Sequence, residues 1–358
     1  HYLLVGTPGT AKTAIATAFS KHITGAAYFK TMLGSFSSPE KVFGVLDIEQ
    51  FKKGKYEHVT DGKLADVDFA FLDEFFKANE ATLNELLTAL NEREFLGERI
   101  PLQTCGMATN WPEVMARTDN TNALYDRCLL RVEVSDVTKK EDMVKVLEAI
   151  DRVETYAPDA STMFTLSELE QVQAEVSSVT ISTVVREIMA QVRDKLAFRN
   201  VSGQVKPGIA ISSRRLGALQ KAMRASAWLD GRRSVTVADF DILRFGLWND
   251  RGDQEHVNTT LETLDLEAVQ ALVAKIDQAR SEYQKLVDAD FGTVRVTQVT
   301  ELFADTVAHV KEAVTQPIFT RSGETTIKKA MARLVKDFKD MNARERAFVD
   351  AMNKDQEV

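Results

Sequence analysis

Eight residues constrain this chain more than any others: Gly6, Thr7, Pro8, Gly9, Thr10, Ala11, Lys12 and Thr13. They follow the short apolar run Tyr2–Val5 and lead into a stretch with apolar Ile15, Ala16, Ala18 and Phe19. A strand, a glycine-bearing turn and a helix form the context in which such a loop cradles phosphates. The glycines let the backbone curl until its N–H groups point at the anion, and the helix adds its positive N-terminal end. Lys12 then reaches the β- and γ-phosphates as a point charge. Thr13 offers a hydroxyl to Mg²⁺, a hard cation that takes oxygen ligands. Ala11 stands where a glycine usually precedes the lysine. Its small side chain is expected to accept helical torsions and leave the loop intact.

A second run, Phe69–Leu72, ends in Asp73 and Glu74. A strand buried through Phe, Ala and Leu delivers Asp73 to its tip, beside the phosphate loop. Asp73 is expected to hold Mg²⁺ and Glu74 to polarise an attacking water. Phosphoryl transfer needs a positioned nucleophile and neutralised charge more than covalent chemistry. An acidic pair ending a buried strand is commonplace alone; with the loop upstream it points to an ATP hydrolase.

These strands, and a third at Thr104–Thr109, alternate with helical stretches over residues 1–140, which argues for an α/β core with a parallel sheet. Residues 141–254 read as an all-α subdomain, with helical spacing over Glu141–Val153, Ser167–Val176, Thr180–Phe198, Ser213–Leu229 and Val237–Trp248, the last capped by Thr236. Residues 255–358 carry apolar stripes at Leu266, Val269, Val273, Ile276, Ala279, Tyr283 and Leu286. A second stripe runs Ile327, Met331, Leu334, Phe338, Met341, Phe348 and Met352. Both suit a helical hairpin or three-helix bundle with turns near Phe291-Gly292 and Gln316–Gly323. The net charge of −8 over 358 residues argues against a surface that tracks nucleic acid. Cys105 and Cys128 make neither a disulfide framework nor a metal quartet and suit a reducing, cytoplasmic compartment. No apolar run is long enough to span a membrane. The chain opens inside a strand, so further sequence, including the adenine-binding segment, is expected upstream.

The chain resembles the MoxR family of AAA+ ATPases, and within it the RavA-like branch. The resemblance is carried by GTPGTAKT at 6–13, SSPEKVFGVLDI at 37–48, YEHVTDGKLADVDFAFLDE at 56–74, LNELLTALNEREFLGERIPL at 83–102, ALYDRCLLR at 123–131 and the lid segment at 212–239. It implies an AAA+ P-loop core, an all-α lid and a helical C-terminal addition. It assigns Asn110 as sensor 1, Arg127 as the arginine finger with Arg131 as competitor, and Arg214 as sensor 2 in preference to Arg215. It implies a homo-oligomeric, hexameric ring that binds ATP and Mg²⁺. Lys12, Thr13, Asp73, Glu74 and Asn110 would come from one subunit and Arg127 from the next. Arg214 would couple nucleotide state to lid angle. Segment 36–65 and the hairpin Glu94–Pro101 match the family's insertions. The implied activity is chaperone-like remodelling or maturation of a protein complex, with a von Willebrand factor A domain partner. A nucleic-acid motor built on the same core is the alternative.

Overall fold

The computed structural model describes residues 1–116, 119–150, 156–201, 203–288, 293–315 and 318–355. The chain divides into two units, one of residues 1–177 and 212–219, the other of residues 178–211 and 220–358.

The first unit is organised by a five-stranded sheet: β1 Tyr2–Val5, β2 Tyr28–Met32, β3 Phe69–Asp73, β4 Thr104–Thr109 and β5 Leu130–Glu133, in the spatial order β5-β1-β4-β3-β2. Every pairing is parallel, with Tyr2 opposite Leu130 on one side and Gly106 on the other, and Phe69 opposite Thr104 and Tyr28. Helices cover the faces of such a sheet, so its central strands read as unbroken apolar runs. Leu3, Leu4, Val5, Phe69, Ala70, Phe71 and Leu72 are all buried. One layer of the core joins Leu4, Phe71 and Ala108 to Ala16 of helix α1, Lys12–Ser20. The edge strands are less apolar: β2 buries only Phe29 and exposes Lys30, while β5 carries Arg131. That is why the sequence announces β1, β3 and β4 and conceals β2 and β5.

Two small insertions meet near the sheet. Val45–Leu46 pairs antiparallel with His58–Val59, and Glu94–Phe95 with Glu98–Arg99. Phe43 stacks on Phe95 with ring centroids 4.6 Å apart, and His58 meets Phe95 edge-on at 5.5 Å. Aromatic pairs at these separations bind the two insertions together.

The second unit is largely helical. Thr183–Leu196 is capped by Ser182, whose hydroxyl accepts from the Val185 N–H at 3.3 Å. It is followed by an antiparallel pair, Phe198–Val201 with Gln204–Pro207, which the helical reading of this region did not anticipate. Val237–Phe245 forms 3₁₀ turns rather than the α-helix expected there. The fully buried Asp239 fixes its start, accepting from the Thr236 N–H at 2.9 Å and from both Arg232 terminal nitrogens at 2.7 Å. Three long helices follow, Leu266–Asp288, Thr293–Val314 and Arg321–Asp355. Val269, Leu272, Ile276, Val310, Phe319, Ile327, Ala330 and Leu334 form their common core. The expected turn at Phe291-Gly292 and the first two residues of that at Gln316–Gly323 lie outside the described residues, as do the side chains of Leu266, Tyr283, Leu286, Met341, Phe348 and Met352, while residues 321–323 already belong to the last helix. Among the described residues no helix is long and apolar enough to cross a membrane.

Candidate functional site

The loop after β1 is shaped by close approach. Gly6 donates its N–H to the Thr109 carbonyl at 3.2 Å. A Cβ on Gly6 would lie 2.2 Å from the Val134 carbonyl oxygen, so only glycine fits there. Gly9 takes a φ of +87°. Ala11, expected to be helical, instead adopts φ 61°, ψ 20°, the left-handed conformation that glycine takes freely and alanine at a cost of about 1–2 kcal/mol. The helix starts at the next residue. Lys12 folds back over the loop, its Nζ donating to Gly6 O at 3.0 Å, Thr7 O at 2.7 Å and Thr10 Oγ1 at 3.3 Å. Thr7 Oγ1 donates to Asp136 Oδ2 at 3.0 Å, pinning the loop to the chain just beyond β5.

The second motif arrives from β3. Thr13 Oγ1 donates to Asp73 Oδ2 at 2.6 Å, and Asp73 Oδ1 accepts the Glu74 N–H at 2.9 Å. These residues are 60 apart in sequence and adjacent in space. A hydroxyl and a carboxylate at this spacing are hard oxygen donors of the type Mg²⁺ takes alongside phosphate oxygens. Among the described residues no group of three or more His, Cys, Asp or Glu could hold a metal. A two-donor arrangement of this kind suits a cation that also binds substrate phosphates. Glu74 has φ 54°, ψ 40°, also left-handed. Its carboxylate pairs with Lys77 Nζ at 3.0 Å, and the same ammonium lies 3.7 Å from Glu113. Asn110, at the tip of β4, opens the short helix that carries Glu113. The side-chain oxygens Thr109 Oγ1, Asn110 Oδ1, Glu113 Oε2 and Glu74 Oε2 are buried with no hydrogen-bond partner, the last held by the Lys77 ammonium as an ion pair without hydrogen-bond geometry. Buried polar atoms left this way are expensive unless a ligand or water satisfies them.

Four arginines were candidates, and the structure sorts them. Arg131 is buried, its guanidinium 3.9 Å over the Tyr125 ring, donating to Cys128 O and Tyr125 O at 3.1 Å each. Arg215 is also buried and pairs with Asp126, which lies 3.6 Å from Arg131 as well. Both are thus committed within the subunit. Arg127 and Arg214 stay closer to the surface. Partial burial lowers the Arg127 guanidinium below its ordinary pKa, and the like charge of Arg214 lowers it further. Arg127 Nε has no hydrogen-bond partner, and Arg214 reaches Asn91. Arg127 and Arg214 are thus near enough to act on one another, while Lys12, Thr13, Asp73 and Glu74 cluster between the loop and the tip of β3, joined to the helix that Asn110 opens through Lys77 and Glu113. A cavity of about 590 Å³ beside α1, lined by Ile15, Lys21, Lys30, Lys145 and Tyr156, touches that cluster only through Thr13.

Sequence reasoning missed Lys77, Glu113 and Asp136. Lys77 stands three residues after Glu74, a spacing that signals contact once the segment is known to be helical. Glu113 and Asp136 carry no such signal, because sheet topology alone brings them close.

Comparison with known proteins agrees with this geometry. Residues 1–174 match the family profile described as the MoxR domain in the MoxR-vWA-beta-propeller ternary systems, and residues 184–261 match an AAA lid domain. An uncharacterized protein of Methanocaldococcus jannaschii is 30% identical over 311 residues, covering 80% of this chain and 77% of that protein. A second from the same organism is 32% identical over 255 residues, covering 70% and 64%. A crystal structure of a candidate ATPase from Cytophaga hutchinsonii superposes with a TM-score of 0.54 at 19% identity, covering 73% of this chain and 84% of that one. At that identity the likeness is one of fold.

Proposed function

The chain belongs to the MoxR-type family of AAA+ ATPases, and on that premise we propose that it hydrolyses Mg-ATP in a homo-oligomeric ring to remodel a protein complex. A von Willebrand factor A protein is the proposed partner, in keeping with the description of the matching profile. Residues 1–140 serve as nucleotide core, 141–254 as lid and 255–358 as a helical addition. The observation that carries the reading is the 2.6 Å contact between Thr13 and Asp73, which joins the Lys12 loop to the acidic end of β3.

In this reading the loop from Gly6 to Thr13 binds the phosphates through backbone N–H groups, and Lys12 leaves its carbonyl partners for the anion. Thr13 and Asp73 would hold Mg²⁺, which when bound neutralises phosphate charge. Glu74 orients the attacking water and takes its proton, with the Asn110 amide fixing the water's position. Arg127 faces the nucleotide of the adjoining subunit and stabilises charge as the bond breaks, and Arg214 couples nucleotide state to lid angle. Arg131 and Arg215 position these two through Asp126.

A mixing experiment tests the division of labour. Glu74→Gln and Arg127→Ala are each expected to abolish turnover. Mixed subunits regain activity, because an interface with Glu74 on one side and Arg127 on the other is complete. Random mixing in a closed ring allows roughly a quarter of wild-type activity. No recovery on mixing would show that both residues serve the same subunit's nucleotide. For the partner, Glu74→Gln protein with ATP is expected to retain a von Willebrand factor A protein that it releases without ATP. Retention independent of nucleotide would contradict the remodelling role.

A further inference from the structure

The turn that follows β3 does more than end the strand. Phe75 is fully buried and Phe76 packs on it at 5.1 Å, so Phe75–Lys77 is anchored to the interior. The turn is 3₁₀, closed by the Lys77 N–H donating to the Glu74 carbonyl at 2.9 Å. Lys77 closes the turn and its side chain runs back to Glu74, the left-handed residue that opens it, where the ammonium meets Oε2 at 3.0 Å. On its other side, 3.7 Å away, is Glu113 of the helix that Asn110 opens. One cation thus bridges the acidic tip of β3 and the element carrying Asn110.

We propose that Lys77 is a positioning residue for the Glu74 carboxylate, and that Glu113 holds Lys77 in place. The proposal rests on the reading of Glu74 as the group that orients water. A carboxylate on a flexible stem has a mobile plane. An ammonium fixed against one oxygen sets that plane and leaves the other oxygen for the water. Lys77 is 44% exposed and its two partners 26% and 21% exposed, so these pairs add little to stability. Their consequence is geometric. Because Glu113 and Asn110 share a helix, any shift of Asn110 is passed through Lys77 to Glu74, so two groups on separate strands stay in register around one water.

The test compares Lys77→Met, Lys77→Arg, Glu113→Gln and the double variant Lys77→Met/Glu113→Gln with wild type, by steady-state ATPase, by binding of a fluorescent ATP analogue and by melting temperature. Lys77→Met keeps the apolar stem and is expected to lower kcat about tenfold or more, since misplacement near 1 Å is costly in catalysis. KM and analogue affinity are expected to stay within about twofold, because among the described residues the ion pairs of Lys77 are with Glu74 and Glu113, outside the phosphate loop. Melting temperature is expected to move by less than about 3 °C. Lys77→Arg restores at least half of kcat. Glu113→Gln lowers kcat less, and adds nothing when Lys77 is already Met, because the two residues act as one device. An unchanged kcat in Lys77→Met, a loss of analogue affinity parallel to the loss of kcat, no rescue by Arg, or additive effects would each overturn the proposal. Glu74→Gln separates this failure from failure of the broader reading. If it turns over like wild type, Glu74 is not the water-orienting group; if it is inactive while Lys77→Met is normal, only the role of Lys77 falls.

Discussion

Replacing Gly6 by alanine offers a sharp test of how the phosphate loop is held. The new Cβ would sit 2.2 Å from the Val134 carbonyl oxygen, where ordinary contact begins at 3.4 Å, so 1.2 Å must be found. That carbonyl is poorly free to yield, because the Val134 N–H donates to Val5 O at 2.7 Å and Asp136 grips Thr7 at 3.0 Å. The loop must therefore give. A displacement of this size carries backbone N–H groups from about 2.9 Å to beyond 4 Å from a phosphate oxygen, outside bonding range. Two charge-assisted bonds lost at about 1.5–3 kcal/mol each amount to roughly 3–6 kcal/mol, or about 10²–10⁴-fold in Kd. Gly9→Ala is the control. Nothing lies within 4 Å of its added Cβ, and its cost is the torsional strain of φ +87°, about 1–2 kcal/mol. Titration with a fluorescent ATP analogue is expected to rank wild type tightest, then Gly9→Ala, then Gly6→Ala. Refutation would be Gly6→Ala binding within tenfold of wild type while its melting temperature falls. The end of β5 would then be what yields, at the usual overpacking cost of about 1–3 kcal/mol, and the loop would be stiffer than argued.

Other outcomes follow from the same contacts. Thr13→Ala is expected to lose ATPase activity about 100-fold or more while binding ATP without Mg²⁺ within a few-fold of wild type, and Thr13→Ser to keep activity; equal behaviour of Ala and Ser would remove the hydroxyl from the site. Arg232→Met strands the fully buried Asp239 carboxylate and is expected to cost about 3–5 kcal/mol, read as a fall of roughly 6–20 °C in the melting of the second unit. A shift under 2 °C would mean that water or Thr236 satisfies Asp239 unaided. Burial pushes the Cys105 thiol up to about 12 from an ordinary 9.0, so at pH 8 iodoacetamide should spare it in the folded protein and modify it in denaturant. Because the folded pKa is the higher one, the contribution to stability is intact below pH 9.0 and falls as pH rises toward about 12. Cys105→Ala should flatten that part of the pH–stability curve, and an unchanged curve would exclude the thiol as its cause.

What the sequence disclosed and what it hid divide along physical lines. Gly6, Lys12, Thr13, Asp73 and Glu74 were legible as candidates because phosphate chemistry calls for those residue types at those places relative to a strand and a helix, and the fold brings Thr13 against Asp73. β1 and β3 were legible because burial on both faces leaves no room for polar residues. β2 escaped because an edge strand buries one residue in five, and β5 because its buried Arg131 looks like a functional cation. The burial of Arg131 became visible only when Tyr125, Cys128 and Asp126 were seen around it. Ala11 shows the limit of reading by size: alanine is small enough for the loop, yet the backbone there is left-handed, and no property of the side chain discloses that. Contacts such as Thr7 with Asp136 and Lys77 with Glu113 depend on which strands are neighbours. Spacing along the chain contains no information about them.

The strand order has a consequence for how the protein is made. β1 lies between β4 and β5, yet both partners are synthesised long after it. At roughly 5–20 residues per second, a ribosome needs on the order of 5–25 s to supply both neighbours. Until β4 emerges Leu3, Leu4 and Val5 have no neighbouring strand to pair with, and non-local parallel pairing is slow even once the partners exist. Nor can the phosphate loop assume its final shape before Val134 and Asp136 emerge, since they wall and pin it. The loop's final shape is thus acquired late, and the nascent core is a natural client for chaperones that shield apolar strands.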